Sequence, residues 1–238
     1  MRSDKFDPQT QVFDFTHIPK CGGTTVHRFL EELMDGNYVH CLPDSGWQEK
    51  MPHMWGAGGH QLRDQNPISR KPKEIVRLII MREPLQRFIS FYKHILDHPD
   101  HYLSIRPEVK GASALQFAQY CESVDITEFS NLQARFIAGP RGDMHDLPFL
   151  LETLKTEFDF IVPLHMLSTL RPSLAQFFGK PAPELVSHNV SKPFILAPAE
   201  MVAVAEIVYR NNFYDLQLYQ ACVDKFVADF VSNTATTS

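Results

Sequence analysis

Three features of the sequence predict an α/β fold, an open parallel sheet with helices on both faces. Short apolar runs suited to strands at 11–18, 74–81 and 158–164 each precede a segment with apolar residues at helical spacing. Two of the runs, EIVRLIIM and FDFIVPL, are almost continuously apolar, as strands covered on both faces are. The polar motifs HIPKCGGTT (17–25) and MREP (81–84) fall at two of the strand ends, and such sheets bind ligands beyond the carboxyl ends of their strands.

The elements follow in order. Gln11 to Ile18 reads as a buried strand, and Val26, Phe29, Leu30 and Leu33 mark a helix over 24–34. Residues 36–74, with many Pro, Gly and His, read as one long irregular stretch of the kind that usually carries function. After the strand at 74–81, Pro84 suits the first turn of a helix whose apolar face is Leu85, Phe88, Phe91, Tyr92 and Ile95. Helices are expected near 112–121, 128–137 and 148–155. A strand at 158–164, a helix near 165–178 and a helical tail over 198–231, broken at Asn211-Asn212, complete the chain. No repeat or shift in composition divides it, so residues 1–238 read as one domain.

Composition narrows the function. Acidic residues outnumber basic ones by 28 to 23, which argues against a broad basic face for nucleic acid. No apolar run approaches 18 residues, and MRSDKFDPQTQ lacks the apolar core of a secretory signal, so no membrane insertion is expected. Cys21, Cys41, Cys121 and Cys222 show neither close pairing nor metal-ligand spacing. Reduced thiols in a cytoplasmic protein are the simplest expectation.

The chemistry concentrates at the two strand ends. Gly22 and Gly23 allow backbone amides to approach an anion, Thr24 and Thr25 add hydroxyl donors, and a helix start favours negative charge. Lys20 precedes the glycines, whereas the ATP-binding pattern G-x-x-x-x-G-K-[ST] has its lysine after them. The strand at 75–81 also lacks a terminal acidic residue to help hold magnesium. Arg82 offers a bidentate donor for a phosphate monoester. Ser90 lies opposite the apolar face of the following helix, near Arg87 and His94.

HIPKCGGTT resembles the 5′-phosphosulfate loop of sulfotransferases that use 3′-phosphoadenosine 5′-phosphosulfate (PAPS), and MREPLQRFISFY resembles their 3′-phosphate motif. The HIPKxGGTT form is similar to the branch containing heparan sulfate 2-O-sulfotransferases. GGH (58–60), SNLQARFIAG (130–139), FDFIVPLHMLSTL (158–170) and YDLQLYQ (214–220) resemble further blocks of that family, so the likeness covers most of the chain. It departs from the family at Cys21, where a Thr often stands, and in its small size.

The resemblance implies a P-loop-like three-layer fold and metal-independent in-line transfer of a sulfuryl group to an acceptor hydroxyl, leaving PAP. It implies that Lys20, Cys21, Gly22, Gly23, Thr24 and Thr25 form the phosphosulfate loop and that Arg82 and Ser90 bind the 3′-phosphate. Ser191 and Lys192 fall in a segment that closes over the nucleotide in relatives. His60 becomes the expected general base, since imidazole titrates near neutral pH, with His17 in reserve. The branch favours a carbohydrate or glycoconjugate acceptor; a lipid, polyketide or other small alcohol is an alternative. A P-loop kinase and a non-catalytic PAP-binding protein are the readings from other classes.

Other constellations carry less. His94, His98 and His101 suggest a metal site, but Pro99 interrupts the helix that would align them, so no metal is expected. Cys21 beside a helix start invites a lowered pKa. Trp47, Trp55 and Tyr102 are candidates for stacking on a sugar or for ordinary packing. Arg141-Gly142-Asp143 reads as a turn, and the sequon at 189–191 has no expected consequence without a secretory signal.

Overall fold

In the computed structural model, which describes residues 4–42, 46–183 and 195–235, the apolar runs become the centre of a five-stranded parallel sheet. Its strands are β1 (Gln11–Thr16), β2 (Tyr38–His40), β3 (Gly56–Gly59), β4 (Glu74–Met81) and β5 (Phe160–Pro163). They lie in the order β2-β3-β1-β4-β5, and every adjacent pair is parallel. Helices α1 (Gly23–Leu33) and α2 (Trp47–Lys50) precede β3. Between β4 and β5 come α3 (Pro84–Asp97), α4 (Ala114–Ser123), α5 (Leu132–Ala138) and α6 (Leu147–Glu157). After β5 come α7 (Leu167–Phe177), α8 (Pro198–Asn211) and α9 (Phe213–Ala235). None of the described helices is long and apolar enough to cross a membrane.

Side-chain alternation along the strands builds two cores. Phe13, Phe15, Val76, Leu78, Ile80, Phe160 and Val162 pack against α1 and α7. Ile79, Met81 and Ile161 point to the other face, against α5, α6 and α9. Each large apolar side chain fully buried here contributes roughly 1.5–3 kcal/mol. A third core joins α3, α4 and α8 and contains all five residues of the expected apolar face of α3. Glu83 caps α3 by accepting from the N–H groups of Leu85 (3.1 Å) and Gln86 (2.8 Å), and Pro84 takes the position that lacks a donor anyway.

The expectation of one irregular stretch over 36–74 is corrected. It contains β2, α2, β3 and two short 3-10 turns. β2 has only three residues, and β3 reads GAGG. Neither offers the alternating apolar side chains by which a strand is recognised. Arg87 also departs from its expected polar surroundings. It is 2% exposed, and its guanidinium donates to the carbonyls of Glu128 and Phe129 at 2.9 and 3.0 Å.

The strand order positions the site. β1 lies between β3 and β4, with Thr16 paired to Gly59 on one side and Ile79 on the other. The segments beginning at His17, His60 and Arg82 therefore leave the sheet side by side.

Candidate active site

The loop after β1 turns sharply. Lys20 has φ of 68° and Gly22 of 79°, both left-handed. The conformation costs a lysine roughly 1–2 kcal/mol. Arg82 helps hold it, with Nη1 donating to the Lys20 carbonyl at 3.1 Å. A Cβ on Gly22 would come within 2.4 Å of Leu164, and one on Gly23 within 1.7 Å of His17 Nε2. Both positions require glycine, for backbone angle at the first and for close approach at both.

Helix α1 begins at Gly23 with no side-chain cap. The first helical N–H groups, those of Gly23, Thr24 and Thr25, therefore have no partner within the helix and point out of its end, where the helix dipole favours an anion. Thr24 is exposed and Thr25 half-buried. Cys21 differs from expectation: its side chain is fully buried, and burial pushes the thiol up to about 12. Its N–H donates to Ile18 O at 3.2 Å, and its Sγ contacts Gln133 Oε1 at 3.7 Å. The expected lowered pKa is thus overturned, because desolvation of the thiolate outweighs the helix end.

Lys20 and Arg82 are both half-buried. Burial and then the neighbouring Arg82 charge lower the pKa of Lys20, and burial lowers that of Arg82. Among the described residues neither forms a salt bridge. Two cations thus stand at adjacent strand ends beside an uncapped helix N-terminus. Asp97 acts on Lys20 in the opposite direction, more weakly than Arg82.

Gln133 supports this arrangement and was not legible as a site residue. It is fully buried. Its Oε1 accepts from the Arg82 N–H at 2.9 Å, and its Nε2 donates to the Arg82 carbonyl at 2.9 Å. Asp215, also fully buried, accepts from the N–H groups of Gln133 and Ala134 at 3.1 and 2.7 Å. The blocks SNLQARFIAG and YDLQLYQ thereby act together as a brace behind Arg82.

Ser90 is half-buried on α3, beyond Arg82. His94 and Asp97 follow it at four and seven residues, a helical spacing that the sequence offered as a signal. Both influence or feel Lys20: burial, then the Lys20 charge, lowers His94 to about 4. Pro99 did not keep the other histidines away, since the His94 ring lies 3.9 Å from that of His98 and 5.7 Å from that of His101. Their nitrogens turn to the backbone instead. His98 Nδ1 donates to His94 O at 2.8 Å, and His101 Nδ1 accepts from Leu103 N–H at 3.2 Å.

His60 stands at the end of β3, accessible to solvent. Partial desolvation, then the Lys20 charge, holds its pKa below the usual imidazole value. It is therefore neutral at pH 7, the state required of a base. Its ring centroid is 4.4 Å from that of His17, which is buried and joins His27 and His40 in a cluster that the sequence did not reveal. Residues 17, 27 and 40 have no ligand-like spacing; parallel pairing of β1, β3 and β2 brings His17 and His40 near each other, and α1 adds His27. Trp47 packs with Met51 and Ile68, and Tyr102 donates to Glu128 at 3.0 Å. Ser191 and Lys192 lie outside the described residues.

A family model described as "Sulfotransferase family" matches residues 6–146 of this chain. No curated protein matches it. Among solved structures it is similar to mouse sulfotransferase SULT7A1, crystallised in complex with PAP. The TM-score is 0.44 at 14% identity, over 88% of this chain and 67% of that one.

Proposed function

The chain belongs to the sulfotransferase family, and we propose that it transfers a sulfuryl group from PAPS to a hydroxyl of a carbohydrate or glycoconjugate. The observation that carries this reading is the pair of cations, Lys20 and Arg82, which form no salt bridge among the described residues, around an uncapped helix start. A bound anion would supply the missing negative charge. The close approach at Gly22 and Gly23 fits a phosphate, whose oxygens need backbone amides uncovered by side chains. The carbohydrate assignment rests on the branch resemblance of HIPKCGGTT and GGH.

PAPS supplies an activated sulfuryl group. Gly22, Gly23, Thr24 and Thr25 hold the 5′-phosphosulfate, and Arg82 with Ser90 holds the 3′-phosphate. His60 takes the acceptor proton while the acceptor oxygen bonds to sulfur. The bond from sulfur to the bridging oxygen breaks, its electron pair leaves with PAP, and Lys20 stabilises the charge on that oxygen. Position and fixed charge carry the transfer, with no metal at the phosphosulfate. The four described cysteines are free and buried, which supports a reducing, cytoplasmic setting.

Thermal shift provides the first test. Strong stabilisation by PAP, little by AMP and no magnesium requirement support the reading; preference for ATP–magnesium removes it in favour of a kinase. Labelled PAPS, offered with an extract of glycans and hydroxylated metabolites, then identifies the acceptor by mass spectrometry of the product.

A further inference from the structure

His17 leaves β1, His27 lies on α1 and His40 ends β2, and the transfer reaction uses none of them. One nitrogen from each falls within 4.8 Å of the others. The geometry points to a tri-histidine site for a divalent transition metal of the Zn²⁺ class, formed by His17, His27 and His40 beneath the phosphate loop.

The closest pair sets the frame. His17 Nδ1 and His27 Nε2 are 3.0 Å apart, near the roughly 3.3 Å edge of a tetrahedron with Zn–N of about 2.0–2.1 Å. The Nε2 side of His17 is packed on Gly23, so Nδ1 is the nitrogen directed into the cluster. His27 Nδ1 lies 2.6 Å from Tyr38 Oη. With His27 ligating through Nε2, its Nδ1–H donates to that oxygen, the outer hydrogen bond that typically orients a metal-bound imidazole. Converting the cluster from its hydrogen-bonded form needs a tautomer shift at His27 and a small spread of the pair.

His40 supplies the third nitrogen after a ring rotation. Its ring stacks on that of His27 with centroids 3.5 Å apart and planes 20° apart. His40 is half-buried on the edge strand and lines a cavity of about 380 Å³ together with His27, Tyr38 and Thr24. That cavity gives the ring room to turn and a hydrated ion a route inward.

The electrostatics suit a ligand set. Burial, then neighbouring imidazoles, lowers His17 to about 2 and His40 to about 4, and lowers His27 as well. All three are neutral at pH 7, the form that binds metal. The borderline ion classes favour imidazole, whereas Mg²⁺ and Ca²⁺ favour oxygen. A bound ion would tie β1, α1 and β2 together and fix the ring on which Gly23 rests. The three ligands take no part in the transfer itself, although His17 stands beside His60 and under Gly23.

The test uses the full chain without a histidine tag, stripped with chelator and titrated with Co²⁺. The expected result is one equivalent bound with visible absorption of tetrahedral strength, displaced by Zn²⁺, and a rise in Tm of several degrees on Zn²⁺ addition. His40→Gln, at a half-buried edge position, abolishes the absorption and the Tm rise while circular dichroism shows the fold retained. His98→Gln, in the other histidine group, leaves both intact. Absence of a one-equivalent signal, or binding that persists in His40→Gln or is lost in His98→Gln, overturns the site. PAP stabilisation, measured on the same samples, reports separately on the donor reading.

Discussion

Asp14 and His17 are three residues apart, one within β1 and one just past its end, and both are almost fully buried. Asp14 sits in a compensated network. It accepts from Asn66 and Ser69 at 2.8 Å each, and Arg77 lies 3.6 Å away, itself paired with Glu157 at 2.9 Å and with Asp64. Burial disfavours the charged form of His17, and the neighbouring imidazoles and Lys20 act in the same direction. The polar network along the strand answers buried charge with opposite charge. At the strand end the histidines stay neutral, and the cations Lys20 and Arg82 form no salt bridge among the described residues. A compensated cluster has no need of a ligand, whereas an uncompensated one is completed by an anion.

The largest expected effect breaks the strand-end half of this contrast. Lys20→Ala should lower kcat by about 10²–10³-fold, the usual loss for a group that stabilises developing charge. His60→Ala should lower it by about 10²–10⁴-fold, as for a general base, with PAP affinity nearly intact in a direct titration. Retained turnover in His60→Ala, with acceptor bound, moves the base elsewhere.

Arg77→Met tests the other half. It leaves Asp14 buried without its cation, a loss of roughly 3–5 kcal/mol for a broken buried pair. At about 2–4 °C per kcal/mol for a chain of this size, Tm should fall by on the order of 10 °C. PAP affinity of the folded protein should not change. A variant that keeps its Tm but loses PAP would reverse the assignment of the two clusters.

Acid sharpens the comparison further. His17 and His27 have folded pKa values well below the ordinary 6.5. Below pH 6.5 the unfolded chain binds protons at both while the folded chain does not, so stability present above that pH is lost as pH falls. Each contributes about 1.4 kcal/mol per pH unit once well below 6.5. Burial raises Asp14, so its protonation stabilises the folded chain as pH falls through that raised value and acts in the opposite direction. Urea midpoints should therefore fall between pH 6.5 and 5, and by less in His27→Gln. A flat profile would mean that the histidines are not held neutral by the fold.

Much of this was legible because it depends on local pattern. The apolar runs of β1, β4 and β5 announced three strands, and the order of HIPKCGGTT and MREP placed Lys20 beside Arg82. β2 and β3 were hidden because three residues and a GAGG segment carry no periodicity; β3 exists through pairing with β1, and β2 through pairing with β3. The histidine cluster was hidden for a related reason, since strand order brings positions 17, 40 and 60 together and the packing of α1 adds position 27. The burial of Cys21 was a contest between a helix end, visible in sequence, and packing against Gln133, which is not.

The smallest expected effect lies at Gln133, between the two regimes: a neutral, fully buried side chain that holds an uncompensated cation from behind. Gln133→Leu preserves approximate volume but leaves the Arg82 N–H and C=O without those partners, at about 1–3 kcal/mol of stability. Released there, the Arg82 guanidinium should lose its fixed position, and PAP should bind about 5–10-fold more weakly, near 1–1.4 kcal/mol. AMP, which has no 3′-phosphate, should bind almost as before. Calorimetric titration of both nucleotides decides the matter: equal losses would place the damage in the Gly22–Thr25 loop, whereas a narrowed preference for PAP over AMP locates 3′-phosphate recognition at Arg82.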